Sequence, residues 1–251
     1  MLKKASALTA ALCCVIAFTS ECLAAEYVDF DSDINYCFYN DDYYDYEDYY
    51  SDEKMAFHIT DDGAALYKYW GDQETVEIPK TVKGKKVTEI CRLAFFNNDT
   101  LVEAVIPDSV WIIGEQAFSG CDNLTRINIP PAVSRIPNNT FSYCKNLREI
   151  IFSEGLYDIS EEAFRGCTSL EEIKFPSTLE ILRMESFKDC AKLEKIEFGC
   201  GLKTIEIDAF RDCISLKEIR LPEAMKKNRK SCFCRLHKLN RRFPAKTVRA
   251  I

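Results

Sequence analysis

From Leu101 to Leu221 the apolar positions recur with a 23-residue period and without a slip. Leucine opens each block, at Leu101, Leu124, Leu147, Leu170, Leu193 and Leu216. Phenylalanine holds a second column at Phe95, Phe118, Phe141, Phe164, Phe187 and Phe210. A small residue precedes each one (Ala94, Ala117, Thr140, Ala163, Ser186, Ala209). Three positions behind it stand Cys121, Cys144, Cys167, Cys190 and Cys213, with Asn98 in that slot one block earlier. Coincident ladders at one period mark a stacked array, in which a unit buries its apolar edge only against its neighbours. The opening run of each block, such as residues 124–130 or 170–176, is apolar at alternate positions and ends in proline, which reads as a strand. An apolar pair three apart follows (Val110/Ile113, Val133/Ile136, Leu156/Ile159, Leu179/Leu182, Leu202/Ile205), and then the Ala-Phe-x-x-Cys run. The pattern predicts parallel strands about 4.8 Å apart on a concave face. It also predicts short helical or 3-10 turns on the convex face.

Upstream, residues 57–70 read as a β-hairpin turning at Asp62-Gly63, an N-terminal cap over the first coil's open edge. Lys83 to Lys86, with Gly84, insert a polar loop before Val87 brings in the repeat register. After Pro222 the pattern decays, although Phe233 and Leu239 keep the 23-residue spacing. The expected organisation is residues 1–25 as a signal peptide and 26–54 as an acidic, tyrosine-rich disordered segment. Residues 55–221 are the repeat domain, with an opening module at 55–100 and repeats from 101. Residues 222–251 are a degenerate last repeat and a basic tail.

The runs Ile-Pro-x-x-Val-x-x-Ile-x-x-x-Ala-Phe-x-x-Cys-x-x-Leu, best seen from Ile106 to Leu124, resemble the BspA-like (treponemal-type) leucine-rich repeat family. Ile59-Thr60-Asp61-Asp62-Gly63, Tyr69-Trp70-Gly71, Val76-Glu77-Ile78-Pro79 and Lys86-Val87-Thr88-Glu89-Ile90 look like that family's opening module. The resemblance spans residues 55–225 and implies an α/β leucine-rich-repeat solenoid. It also implies a role at cell surfaces, as an adhesin contacting host or neighbouring-cell proteins. A solenoid is a scaffold, so function lies in what its surfaces carry.

Targeting and charge narrow the setting. Lys3 and Lys4 precede the apolar stretch from Ala5 to Phe18, which is too short for a comfortable membrane span and fits a secretory signal cut after Ala24 or Ala25. No small residue precedes Cys13, Cys14 or Cys22, so lipid attachment is not expected. No other stretch is apolar enough to span a bilayer once the signal is removed. The remaining chain holds 31 Lys and Arg against 39 Asp and Glu. Residues 26–53 carry eleven acids and no Lys or Arg, whereas residues 226–251 carry ten Lys or Arg and no acid. Self-repulsion and scarce aliphatic content keep the acidic segment from folding alone. Its alternating Asp29, Asp31 and Asp33 do not make a calcium loop, because Ile34 and Asn40 stand where glycine and glutamate are required.

Ten cysteines remain beyond the signal, which in a secreted chain points to disulfides. Five of them share one repeat slot, and that periodicity favours buried thiols behaving as small apolar residues. Cys37, Cys91, Cys200, Cys232 and Cys234 lie outside the ladder, and a pairing among them is left unassigned. Cys232, Cys234 and His237 supply three metal ligands where a closed zinc site needs four. Three Asn-x-Ser/Thr triplets begin at Asn98, Asn123 and Asn138 and are read as incidental. With His58 and His237 at opposite ends and no nucleophile elbow, phosphate loop or zinc-protease helix, no enzyme, metal or cofactor is expected.

The outward strand positions form the candidate binding face. One column is Glu103, Arg126, Glu149, Glu172, Lys195 and Glu218; the next is Val105, Asn128, Ile151, Lys174, Glu197 and Arg220. Concave faces are what solenoids bind with. The expected partners are extracellular or cell-surface proteins, and the net negative charge argues against nucleic acid. Two further readings stay open. One is a structural spacer with no specific ligand. The other is recognition through the charged tails.

Overall fold

The structure, a computed structural model, describes residues 49–51, 54–217 and 221–222. The expected signal peptide, the acidic segment up to Asp48, and the basic tail lie outside the described residues. So do Glu218 and Arg220 of the candidate face. Among the described residues there are sixteen strands and no helix.

The cap forms first along the chain. Strands β1 (Tyr49–Ser51), β2 (Met55–Ile59) and β3 (Ala64–Tyr69) pair antiparallel in sequence order. The β2–β3 hairpin is the expected one, with its tip one residue earlier than Asp62-Gly63: Thr60 N–H donates to Gly63 C=O at 2.8 Å, leaving Asp61-Asp62 at the tip. A second hairpin joins β5 (Thr81–Val82) to β6 (Lys85–Ile90) through Lys83-Gly84, whose φ angles are 50° and 77°. Left-handed conformations at both central residues are what a tight hairpin turn requires, and Gly84 supplies one at no steric cost. The far end of β6 runs parallel to β3, which joins the cap to the stack.

Each coil then lays down two strands. The concave row comprises β4 (Thr75–Glu77), β7 (Glu103–Val105), β9 (Arg126–Ile129), β11 (Glu149–Phe152), β13 (Glu172–Lys174) and β15 (Lys195–Glu197). The second row comprises two-residue strands β8 (Ile112–Ile113), β10 (Arg135–Ile136), β12 (Asp158–Ile159), β14 (Ile181–Leu182) and β16 (Thr204–Ile205). Partners in register, such as Arg126 with Glu149 or Ile159 with Leu182, stand one sequence period apart, so the period is the rise of one coil. The helical or 3-10 convex turns expected from the sequence are replaced by this second parallel ladder and by the phenylalanine turn beside it.

That turn is not a helix because its amides alternate between two kinds of partner. Ala117, Ser119 and Cys121 donate backward within the coil to Gly114, Gln116 and Phe118 at 3.1–3.3 Å. Gln116, Phe118 and Gly120 donate forward to Asn138, Thr140 and Ser142 of the next coil at 2.9–3.2 Å. The alternation needs two left-handed residues per coil. Leu93, Gln116, Asn139, Glu162, Glu185 and Asp208 supply one, at φ of 55–60°. Asn97, Gly120, Tyr143, Gly166, Asp189 and Asp212 supply the other, at φ of 55–73°. A non-glycine residue in this region costs about 1–2 kcal/mol, and such strain persists only where the surroundings over-determine it.

The core is the stack itself. Phe95, Phe118, Phe141, Phe164, Phe187 and Phe210 are fully buried, with ring centroids 4.8–5.6 Å apart and planes within 15°. Tyr69 of the cap continues the column at 5.0 Å from Phe95. In the later coils Phe152, Phe175 and Phe198 replace the Ile106 and Ile129 type of strand-end residue and pack edge-on against the main column at 5.5–6.2 Å. The five ladder cysteines are free, buried thiols. Each points its Sγ at the carbonyl of the phenylalanine one coil earlier, from Cys121 on Phe95 to Cys213 on Phe187, at 3.1–3.3 Å. Asn98 fills the slot in the opening coil by accepting from Thr100 and Leu101 and donating to Gly71 C=O.

Two outcomes follow for stability. Phe164→Ala, which opens a void between two stacked rings, is expected to cost about 3–5 kcal/mol in urea unfolding. Burial pushes the Cys121 thiol up to about 12 and raises Cys144, Cys167 and Cys190 above the ordinary thiol value. In the unfolded chain these four thiols ionise at about pH 8.5, whereas in the folded chain they stay neutral there. Their contribution is therefore complete below that pH and is lost as pH rises toward the folded values. Melting temperatures measured from about pH 7.5 upward should fall above about pH 9. In the native chain iodoacetamide should reach exposed Cys200 before any ladder cysteine.

Candidate functional site: the concave sheet

Strand alternation sends Ala104, Ile127, Ile173 and Ile196 into the core and their neighbours outward. The outward neighbours are the predicted columns: Glu103, Arg126, Glu149, Glu172 and Lys195 in one, and Val105, Asn128, Ile151, Lys174 and Glu197 in the other. Val105 and Ile151 are 42% and 38% exposed, which leaves two apolar points among charges.

The structure adds a first row to both columns. Thr75 pairs with Glu103 and Glu77 with Val105, so β4 extends the face. The sequence period hid this row, because Thr75 and Glu103 stand more than one period apart and the lysine hairpin takes up the surplus. The usable signal was the match of Val76-Glu77-Ile78-Pro79 to Ala104-Val105-Ile106-Pro107.

The face is also divided. β4, β7, β9 and β11 form one four-stranded sheet, and β13 and β15 form a separate pair. Ile150, on the β11 side of the gap, is only partly buried, unlike its counterparts Ile127 and Ile173. Both apolar points lie on the four-stranded half. There Arg126 sits between Glu149, at 3.2 Å, and Glu103, at 4.0 Å. On the two-stranded half Lys195 bonds Glu172 and lies 2.7 Å from Glu197. The Glu172 and Glu197 contacts hold the Lys195 ammonium above its usual range, and the same ammonium lowers the Glu197 carboxyl. These pairs are exposed and screened by water, so a partner could exchange them at little cost.

Two features escaped the sequence reading. Asp158 on β12 is a fully buried carboxylate. Arg183 grips it with Nε at 3.0 and 3.1 Å and a terminal nitrogen at 2.8 Å; Arg135 approaches to 3.8 Å and the Ser160 hydroxyl donates at 3.2 Å. The clue was a column, since Arg135 and Asp158 are register partners. The carboxylate is saturated by donors and ties three coils together, so it sets registry and has no free face for chemistry. The second feature is a set of large aromatic residues outside the concave face. Trp70, Phe96 and Tyr143 are 51%, 38% and 45% exposed along the phenylalanine-turn edge.

Among the described residues no cluster of three or more His, Cys, Asp or Glu side chains could hold a metal ion, and no helix is long and apolar enough to cross a membrane. Cys232, Cys234 and His237 lie outside the described residues.

Stacked coils of constant length, a parallel concave sheet and a buried phenylalanine column define a leucine-rich-repeat solenoid. The sequence model of the BspA-type leucine-rich repeat region, in 6 copies, matches residues 63–192 and 136–251. The chain belongs to that family. Among solved structures, it is similar to a leucine rich cell surface protein from Faecalibacterium prausnitzii A2-165: 27% identity, TM-score 0.62, covering 70% of this chain and 49% of that one. It is also similar to a leucine-rich repeat protein from Bacteroides ovatus: 31% identity, TM-score 0.60, covering 69% and 47%. The T. pallidum leucine rich repeat protein shares the fold at 23% identity and TM-score 0.53, covering 76% and 95%. The chain spans about half the length of the first two. No curated protein matches the chain in sequence.

Asp158→Ala is expected to destabilise by about 3 kcal/mol, the lower end for breaking a buried pair, because the Arg183 head is partly exposed. Arg126→Glu on the open sheet should move stability by about 0.5–1 kcal/mol. Parallel urea titrations compare the two.

Proposed function

We propose that this chain is a secreted, surface-associated binding module that docks other extracellular proteins on its concave sheet. The observation that carries the reading is the exposed pair Val105 and Ile151 on a sheet otherwise lined by exchangeable, mixed-sign charges. Apolar points ringed by polar groups are how protein-docking surfaces combine desolvation with specificity. Family membership supports it, since solenoids present such curved sheets to partners. The F. prausnitzii protein, described as a cell surface protein, supports the surface setting, as does the signal-like stretch at residues 1–25. An open sheet with its charges paired to one another favours adhesion over catalysis, and no cofactor is assigned.

The test is binding of the chain to extracellular-matrix proteins and whole cells at low and high salt, beside Arg126→Glu/Lys174→Glu/Lys195→Glu and Val105→Asp/Ile151→Asp variants. The expected result is saturable binding lost in both variants while melting stays nearly unchanged. Binding that survives both, and fails instead in Trp70→Ala/Phe96→Ala, would move recognition to the turn edge. Salt-sensitive binding that all these variants keep would move it to the tails. No binding would leave the spacer reading.

A further inference from the structure

We propose that the lysine hairpin at residues 80–86 is a docking site, and that its occupant is the chain's own acidic, tyrosine-rich segment, residues 26–48. Lys80, Lys83, Lys85 and Lys86 lie in a run with no acid between Ile78 and Thr88. The tight Lys83-Gly84 turn and the pairing of Thr81 with Lys86 and Val82 with Lys85 present them on a short, fixed tip. Lys85 is engaged, donating to Asp61 C=O at 2.9 Å. Lys80, Lys83 and Lys86 are exposed.

A second observation says what covers them. Tyr50 belongs to β1, the strand that the acidic segment leads into, and the Lys83 ammonium sits over its ring, 4.6 Å from the centroid. The segment therefore joins the folded body beside the hairpin. Residues 26–48 carry nine acids, six tyrosines and no Lys or Arg. Asp45, Glu47 and Asp48 lie within four residues of Tyr49, a reach of at most about 14 Å. Alternating tyrosines and carboxylates offer the two groups that ammonium ions bind: an aromatic face, as at Tyr50, and a charged oxygen. The tether holds the segment at an effective concentration on the millimolar scale, so contacts that are individually weak suffice. Surface charges hold the clasp, and salt releases it. This device is independent of what the concave sheet binds.

The experiment uses the full chain as a monomer at low salt. A zero-length carbodiimide joins carboxylates to amines in contact, and mass spectrometry locates the links. The expected links run from residues 41–48 to Lys80, Lys83 and Lys86 within one chain and fade at about 0.5 M salt. Chymotrypsin should cut at Tyr27 to Tyr46 several-fold faster in Lys80→Glu/Lys83→Glu/Lys86→Glu than in the parent, with melting unchanged. Links that run instead to the lysines of residues 226–251, or only between chains, overturn the proposal. So does an equal cleavage rate in parent and variant. The cross-linking arm needs no variant, so it decides even if the triple reversal fails to fold.

Discussion

The structure depends on the hydrogen-bond ladder of the phenylalanine turn. From Leu93 to Arg211 every coil sends alternate amides forward into the next coil, with no coil skipped. No strand row is as continuous: the concave row stops between β11 and β13, and the second row stops between β8 and β10. At each interruption the turn ladder continues and the other strand row still pairs, β12 with β14 and β7 with β9. The phenylalanine column rides on the turn ladder, and the cysteine thiols donate to the phenylalanine carbonyls of that column, in most coils beside a backbone amide. This arrangement explains why a coil tolerates two left-handed residues: each strained turn exists because the next coil holds it.

The repeat, its period and its inward columns were legible because burial imposes them on residue type. A position facing the stack must be Leu, Ile, Phe or a small thiol in every coil, so the pattern survives. The turn conformation was not legible, because its left-handed slots are filled by Leu93, Gln116, Asn139, Glu162, Glu185 and Asp208, which share no signature. A run of Ala-Phe-x-x-Cys then looks like a helical turn. The strands of the candidate face were legible by alternation, since outward residues follow from inward ones. Its first row was not, because the lysine hairpin shifts β4 out of phase. The break between β11 and β13 was not either, because both strands keep the repeat pattern.

Charge plays opposite parts on the two strand rows. On the concave row, acids and bases pair in water and set what can approach, at little cost to folding. On the second row, Asp158 is sealed among Arg135, Arg183 and Ser160, where an unmatched neighbour would strand a charge. The first arrangement can change without loss of the fold. The second fixes which coil follows which. A repeat protein whose units are nearly interchangeable needs such a mark, because a slipped stack would otherwise bury almost the same apolar surface.

The two interruptions are staggered, one on each strand row and two coils apart. At each break the other strand row still joins the same two coils: β12 pairs with β14 across the β11–β13 break, and β7 with β9 across the β8–β10 break. The solenoid therefore has two defined junctions at which one strand row, in place of two, accompanies the turn ladder. The junction on the concave row falls beside Ile150, whose side chain the missing pairing leaves partly open to water.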